Sequence, residues 1–364
     1  MHEHTSITEL ALGAPSLPSD IEVLAELRQS KLPLVLWGAA KCAQNFCRLL
    51  ARNDIPVTAV FVDIRLAGMK LNGLDISSFD DVCSAYRKFN ILVAHGRPEL
   101  AGKYRGHPQV ANVYILSDIN GFGMHYSPAF LQANAVALDG LWNEFTDAAS
   151  HESLLAYVTA RATNNWEHIL PYICANEYFP DFMSLTSEEV VVDCGAYTGD
   201  TLMEYVRRTG GRFRRYYALE PCPPNLEELR GVVTRNNLHD VEILAVGAWD
   251  KQERLAFVQD GDQSHAEAVE GEKSSCLIDL DTIDNICGEN ATFIKMDIEG
   301  AELRALSGSM KTIRYNRPKL AVSVYHRTED LIAIPQFIKR TCPEYRLYFR
   351  LHDHLGMGAV LYAL

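Results

Sequence analysis

The sequence predicts an α/β protein made of two Rossmann-like, doubly wound domains in tandem. Three observations predict it. Short β-branched or aliphatic runs alternate with stretches whose apolar residues recur at helical spacing, the pattern of parallel strands buried under helices. This alternation occurs twice, over residues 20–120 and 188–364, on either side of a stretch with no clean strand. The chain has 364 residues, 48% of them hydrophobic and 22% charged, enough for two ordinary cores.

Residues 1–19 carry two prolines and little periodicity, and read as a loose arm. Asp20 is a candidate helix cap, with Ile21, Leu24 and Leu27 on one face. Leu32 to Trp37 reads as a strand, Gly38 to Lys41 as a turn, and Ala43, Phe46, Cys47 and Leu50 as the inner face of a helix. Val57 to Val62, ended by Asp63, is the next strand, followed after a polar stretch by Ile91 to Ala94 and Val113 to Leu116. Gly38 and Asp63 stand near the places of a dinucleotide fingerprint, but Ala40 and Ala43 replace its second and third glycines. The second glycine is where backbone must approach a pyrophosphate, so a nucleotide-sugar or purely structural role fits this domain better.

Residues 121–187 read as a helical connector. Leu154, Leu155, Val158 and Ala162 share a helical face, and Trp166, Ile169, Leu170 and Ile173 extend the spacing. Tyr178-Phe179-Pro180 ends it with an aromatic pair and a helix stop.

The second domain opens on Val190-Val191-Val192-Asp193, a buried strand ending in an acid. Gly195, Ala196, Tyr197 and Gly199 form the loop that follows, and Asp200 and Thr201 open a helix. Strand, glycine loop and helix start make a cofactor cradle. No Gly-Lys-Ser/Thr follows, which excludes a P-loop, and the loop lacks the three-glycine dinucleotide spacing. Asp193 would repel a pyrophosphate but suits a cation, and S-adenosylmethionine, with its sulfonium and amino groups, meets that requirement. Glu220 ends the next strand, Tyr216 to Leu219, where an acid can accept hydrogen bonds from a ribose diol. Pro223, Pro224 and Asn225 start a helix with Leu226, Leu229 and Val233 inside. Val241 to Val246 is the third strand, and the turn after it places Ala248 and Trp249 to flank an adenine, Trp249 as a stacking face. Leu255 to Val258 reads as a hairpin addition and residues 259–275 as a mobile loop able to close over substrate. Ala291 to Met296 is the fourth strand, followed by a helix with Leu303, Leu306, Met310 and Ile313 on one face. Lys319 to Tyr325 is the fifth, ending at His326, and Leu331, Ile334 and Ile338 mark the next helix. Tyr345 to Leu351 and Ala359 to Leu364 close the sheet as a hairpin, unlike a standard dinucleotide domain.

Val190–Thr201, Glu220-Pro221, the run Ile294-Lys295-Met296-Asp297-Ile298-Glu299-Gly300-Ala301-Glu302 and Val324-Tyr325-His326 together resemble the FkbM family of S-adenosylmethionine-dependent methyltransferases. The resemblance covers about residues 175–364. It implies a class I methyltransferase fold, a seven-stranded sheet with its last strand antiparallel, and O-methylation of a sugar or polyketide-type hydroxyl. Residues 1–120 lie outside it and are only weakly similar to small Rossmann-like domains of sugar-modifying enzymes.

Ligands of open α/β sheets bind beyond the carboxyl ends of the strands, where Asp193, Glu220, Asp297 and His326 all stand. With the family's strand order, Asp297, Glu299 and His326 share one rim. His326 or Asp297 is then the candidate general base, and Glu299 the group that orients it or the acceptor. Asp297, Glu299, His326 and the pair His352 and His354 also offer donors for a divalent metal, a set that suits Mg²⁺ or Mn²⁺ imperfectly, and no metal is assigned. Lys295, inside an apolar strand, needs a partner, Asp193 or Glu299.

The formal charge of −13 argues against a nucleic-acid backbone as partner but not against a small phosphorylated substrate; a sugar or glycoconjugate hydroxyl as acceptor is what the resemblance implies. Nine scattered cysteines without a Cys-x-x-Cys pair suit reduced, buried thiols in the cytoplasm. No signal peptide or ~18-residue apolar run is visible, so a soluble cytoplasmic protein, with room for oligomers, is expected. The competing readings are an NAD(P)-linked oxidoreductase using Gly38 and Asp63, and a non-catalytic nucleotide or nucleotide-sugar binding protein.

Overall fold

The computed structural model describes residues 6–63, 69–95, 97–116, 125–258, 265–266, 275–288 and 290–364. The chain divides into two compact units. One is Met1–Ala133 with Leu155–Pro171 and Asp353–Gly356; the other is Asn134–Leu154 with Tyr172–His352 and Met357–Leu364. Residues of the expected connector fall into both, as do those of its helices Pro128–Glu144 and Ala148–Thr163.

In the first unit β1 (Leu34–Trp37), β2 (Ala59–Phe61), β3 (Lys70–Leu71), β4 (Leu74–Ser77), β5 (Phe89–Val93) and β6 (Val110–Tyr114) form a sheet ordered β3-β4-β2-β1-β5-β6. All neighbours are parallel except β3 with β4. The period of two along β1 separates its faces: Leu34 and Leu36 pack with Phe46 and Leu50, Val35 and Trp37 with Phe61 and Phe89. The helix expected to be capped by Asp20 is instead capped by Ser19 in a capping box with Glu22. That shift turns Val23 and Leu27 inward and leaves Ile21 80% exposed. The polar stretch after β2 contains the β3–β4 hairpin, turned at Asn72 and Gly73, both with positive φ.

The second unit begins with β7 (Val190–Cys194), β8 (Arg215–Leu219) and β9 (Val241–Leu244). The expected third strand breaks at residue 245, after which β10 (Val246–Ala248), β11 (Glu253–Val258), β12 (His265–Ala266) and β13 (Ser275–Asp281) make a separate four-stranded sheet ordered β10-β13-β11-β12. Residues 259–264 and 267–274, most of the expected mobile loop, lie outside the described residues. Then come β14 (Phe293–Met296), β15 (Lys319–Ser323), β16 (Leu347–Leu351) and β17 (Ala359–Ala363). The main sheet runs β16-β17-β15-β14-β7-β8-β9, with β17 antiparallel to both neighbours. This is the seven-stranded sheet closed by an antiparallel hairpin that was expected. It puts β7 between β14 and β8, with β15 beyond β14, so the ends of the first, second, fourth and fifth strands line up along one edge.

Candidate active site

The cradle is built on a buried ion pair. Lys295 stands opposite Asp193 in the parallel register of β14 and β7, with Nζ 3.1 Å from Oδ1 and both side chains out of solvent. Tyr216 donates to the other Asp193 oxygen at 2.7 Å, and Lys295 also donates to the Gly195 carbonyl at 2.8 Å. Lys295 therefore pairs with Asp193, one of its two expected partners. For Asp193 this is a correction: its charge is already matched within the protein, so it braces the loop from beneath rather than facing a cationic ligand.

The glycines also serve packing more than ligand approach. Gly195 has φ +80°, and a Cβ there would sit 2.0 Å from the Asp297 carbonyl oxygen, so the chain leaving β7 crosses directly over the chain leaving β14. Ala196 is fully buried in the core beside Tyr205 and offers a ligand only its backbone. Tyr197 turns outward, 49% exposed and with positive φ, while its amide donates to Glu220 Oε2 at 3.0 Å. Gly199, in the left-handed region, caps the helix Asp200–Thr209 without a side-chain hydrogen bond; Asp200 is exposed and Thr201 buried. Glu220 is buried at the end of β8 and also accepts from the Cys222 amide at 2.8 Å and Asn225 Nδ2 at 3.3 Å. Burial raises its pKa against the pull of those donors.

Ala248 is buried, and Trp249 is only 7% exposed. The indole packs with Ile278 and Leu280, donates to Glu253 at 2.6 Å and lies under the Arg304 guanidinium at 4.8 Å. The expected open stacking face is thus occupied by the protein's own side chains.

At the other end of the same edge, acids surround one histidine. His326 Nδ1 lies 2.9 Å from Glu302 Oε1; its Nε2 lies 3.4 Å from Asp297 Oδ1 and 3.6 Å from Glu299 Oε2. Asp297, Glu299 and His326 are therefore brought together as expected. Burial alone would lower the histidine's pKa, but Glu302 first, then Asp297 and Glu299, raise it to about 9. An imidazolium has no lone pair to accept a proton, so a raised pKa weighs against His326 as the base and toward a role in orienting its acidic neighbours. Asp297 is opposed by burial but held below the usual carboxylate range by His326, Lys295 and the hydroxyls of Tyr178 (2.7 Å) and Tyr325 (3.1 Å). Glu299 behaves oppositely: burial, with Asp297 and Glu302 nearby, pushes it up to about 7, while its side chain stays 38% exposed. Asp330, buried and accepting from the Arg327 amide at 2.9 Å, is also pushed up to about 7 by burial and Glu302.

Four of these groups, Tyr178, Tyr325, Glu302 and Asp330, were not among the expected site residues. Glu302 belongs to the acidic run after β14 and lies three positions beyond Glu299, a signal that could have found it. It also accepts from the Ile298 amide at 2.9 Å. These two bonds turn Glu302 inward and leave Leu303, expected on the buried face, 37% exposed. Among the described residues Asp297, Glu302 and His326 each offer a ligand atom within 4.8 Å of the others. Glu302 Oε1 is engaged with Nδ1 and both Asp297 oxygens accept from tyrosines, while Glu302 Oε2 is buried without a hydrogen-bond partner among the described residues. His352 is not part of this group: it meets the Cys174 carbonyl at 2.9 Å and the Tyr362 hydroxyl at 2.8 Å.

In the first unit, Asp63 is engaged by Lys103 at 2.5 Å and by the Tyr104 hydroxyl at 2.8 Å. A Cβ on Gly38 would sit 2.3 Å from the Ala94 carbonyl, so this glycine serves strand packing. Neither residue is in the free state a dinucleotide site requires.

Residues 193–352 match the family described as Methyltransferase FkbM domain. Over those residues the chain is similar to an FkbM methyltransferase domain. Its fold is similar along nearly the whole length to the crystal structure of Methyltransferase FkbM from Methylobacillus flagellatus KT, with a TM-score of 0.73 and 25% identity over 98% of this chain and 97% of that one. A putative rRNA methylase from Clostridium thermocellum aligns with 55% of this chain and 92% of its own, at 12% identity and a TM-score of 0.31. No curated protein sequence matches. The matched stretch thus begins at the very aspartate that Lys295 neutralises and contains the carboxylates of the rim and His326. Among the described residues, no helix is long and apolar enough to cross a membrane, and Cys42, Cys47, Cys83, Cys174, Cys194, Cys222, Cys287 and Cys342 are free thiols.

Proposed function

We propose that the FkbM-like domain binds S-adenosylmethionine beyond β7 and β8 and transfers its methyl group to a hydroxyl of a sugar or related small molecule, with Glu299 as general base. One observation carries this reading: Glu299 combines partial exposure, a pKa of about 7 and a place 3.6 Å from a protonated histidine at the strand-end rim. A base is most effective when its pKa lies near the working pH, and Asp297, held below the usual range, is too weak a base for that task.

The cradle fits the cofactor. The first amides of the helix Asp200–Thr209 carry no side-chain cap, and Glu220 Oε2 is met by one backbone amide, which leaves it acceptor capacity for a ribose hydroxyl. Tyr197, Gly199, Asp200, Thr201 and Glu220 would hold the group, with the backbone of Gly195 and Ala196 behind them; bound there, it supplies an electrophilic methyl on a sulfonium. Glu299 takes the acceptor's proton as the new C–O bond forms, and Asp297 with His326 fixes the carboxylate's direction, since an in-line displacement depends on alignment. Carboxylates on the rim accept hydrogen bonds from a polyhydroxyl acceptor and repel an anionic one, and the chain's charge of −13 points the same way.

Calorimetric titration with S-adenosylhomocysteine and with NAD tests the cofactor, and labelled-methyl transfer to a panel of methyl glycosides tests the acceptor class. The expected outcome is binding of S-adenosylhomocysteine without NAD, and label on a sugar oxygen. Binding of NAD alone would overturn the reading.

A further inference from the structure

The segment entering β7 places a tyrosine where the chemistry occurs. Tyr178 donates to Asp297 Oδ2 at 2.7 Å while Tyr325 donates to Oδ1 at 3.1 Å, so both carboxylate oxygens are fixed. Tyr178 has φ +61°, a left-handed backbone that is uncommon for a bulky residue and persists only where its surroundings impose it. Here they do. Its amide donates to the Tyr362 hydroxyl at 3.1 Å, which also meets His352 Nε2 at 2.8 Å, and His352 Nδ1 meets the Cys174 carbonyl at 2.9 Å. The following Phe179 is buried against Tyr205 and Phe293, and its carbonyl accepts from Arg208 at 3.0 Å. The tyrosine ring lies 5.1 Å from the Lys295 ammonium, a contact phenylalanine could also make. What phenylalanine could not do is hold Asp297.

We propose that Tyr178 is a positioning residue of the methyl-transfer site: the strained tyrosine, clamped by Tyr362 and His352, fixes Asp297 against His326 and through it aims Glu299. This rests on the reading of the rim as the transfer site. A merely structural tyrosine would be replaceable by phenylalanine, with the carboxylates unaffected.

The test is Tyr178→Phe, followed by carboxyl ¹³C NMR titration of protein labelled at aspartate and glutamate, with Asp297→Asn assigning the signal. Removing a hydrogen bond to the ionised form should move the Asp297 titration upward by about one unit. The S-adenosylhomocysteine affinity should stay within about twofold. On any glycoside the wild type methylates, turnover should fall about 10-fold with KM little changed. Tyr362→Phe, which loosens the clamp but leaves the Tyr178 hydroxyl, should shift the same signal less, and serves if Tyr178→Phe does not fold. An unmoved Asp297 titration in the folded variant overturns the proposal. A wild type that binds no S-adenosylhomocysteine overturns the functional reading instead, while the carboxyl signal still decides whether Tyr178 holds Asp297.

Discussion

At the scale of single residues, the site is decided by ionisation states that neighbours far along the chain impose. With Glu299 titrating near 7 and His326 near 9, activity should rise as Glu299 loses its proton and fall as His326 loses its own, giving a bell with limbs at about 7 and 9 in kcat/KM. Glu299→Gln should cost about 10²–10⁴-fold in turnover with S-adenosylhomocysteine binding retained; a flat profile, or a Gln variant of full activity, would remove the base assignment. Asp193 calls for a different measurement. Its substitution by Ala leaves the Lys295 ammonium buried without its partner, so denaturant unfolding should report a loss of about 3–5 kcal/mol, and Asp193→Leu with Lys295→Met should recover much of it. The positions of Asp297, Glu299 and His326 were legible because strand ends are legible. Their roles were not, because Glu302 raises the histidine while His326, Lys295 and the hydroxyls of Tyr178 and Tyr325 lower Asp297, and no local pattern announces the tyrosine contacts.

At the scale of elements, close backbone crossings set where the glycines fall. Gly195→Ala would need a Cβ 2.0 Å from the Asp297 carbonyl in a residue with positive φ, so the β7 loop must move off the end of β14. We expect loss of S-adenosylhomocysteine binding by calorimetry together with a lowered melting temperature; Gly210→Ala, also at positive φ but with open space around it, should cost only stability. Gly308 acts in the same way: the helix expected through Ile313 divides into Glu302–Ser307 and Met310–Asn316, because a Cβ at Gly308 would meet the Trp249 carbonyl at 1.9 Å. Parallel strands read clearly from their apolar runs, whereas short additions did not. The Asn72-Gly73 turn of the β3–β4 hairpin was an unused signal. In β13 the buried alternation of Ile278 and Leu280 was masked by the polar stretch beside it.

At the scale of the whole molecule, several shifted groups act on stability in one direction. His326 is raised from 6.5 to about 9, so its contribution is complete below pH 6.5 and is lost as pH rises through 9. Asp330 is raised from 3.8 to about 7, so the fold favours its protonated form, and that contribution is present below 3.8 and lost as pH climbs through 7. Asp297 opposes them only in acid, because its depressed pKa makes its contribution disappear as pH falls below the ordinary carboxylate range. The histidine alone represents roughly 3 kcal/mol, and each kcal/mol moves the melting temperature of a domain of this size by roughly 2–4 °C. The melting temperature should therefore fall by several degrees between about pH 5 and pH 9.5. Asp330→Asn should reduce the lower half of that fall, where Glu299, raised from 4.5 to about 7, also acts, and leave the upper half in place, because the substitution removes one titrating carboxyl but not His326. A scanning fluorimetry series that stays level across this range would show that the acid cluster does not hold its protons, and with them the division of labour between Glu299 and His326 would be lost.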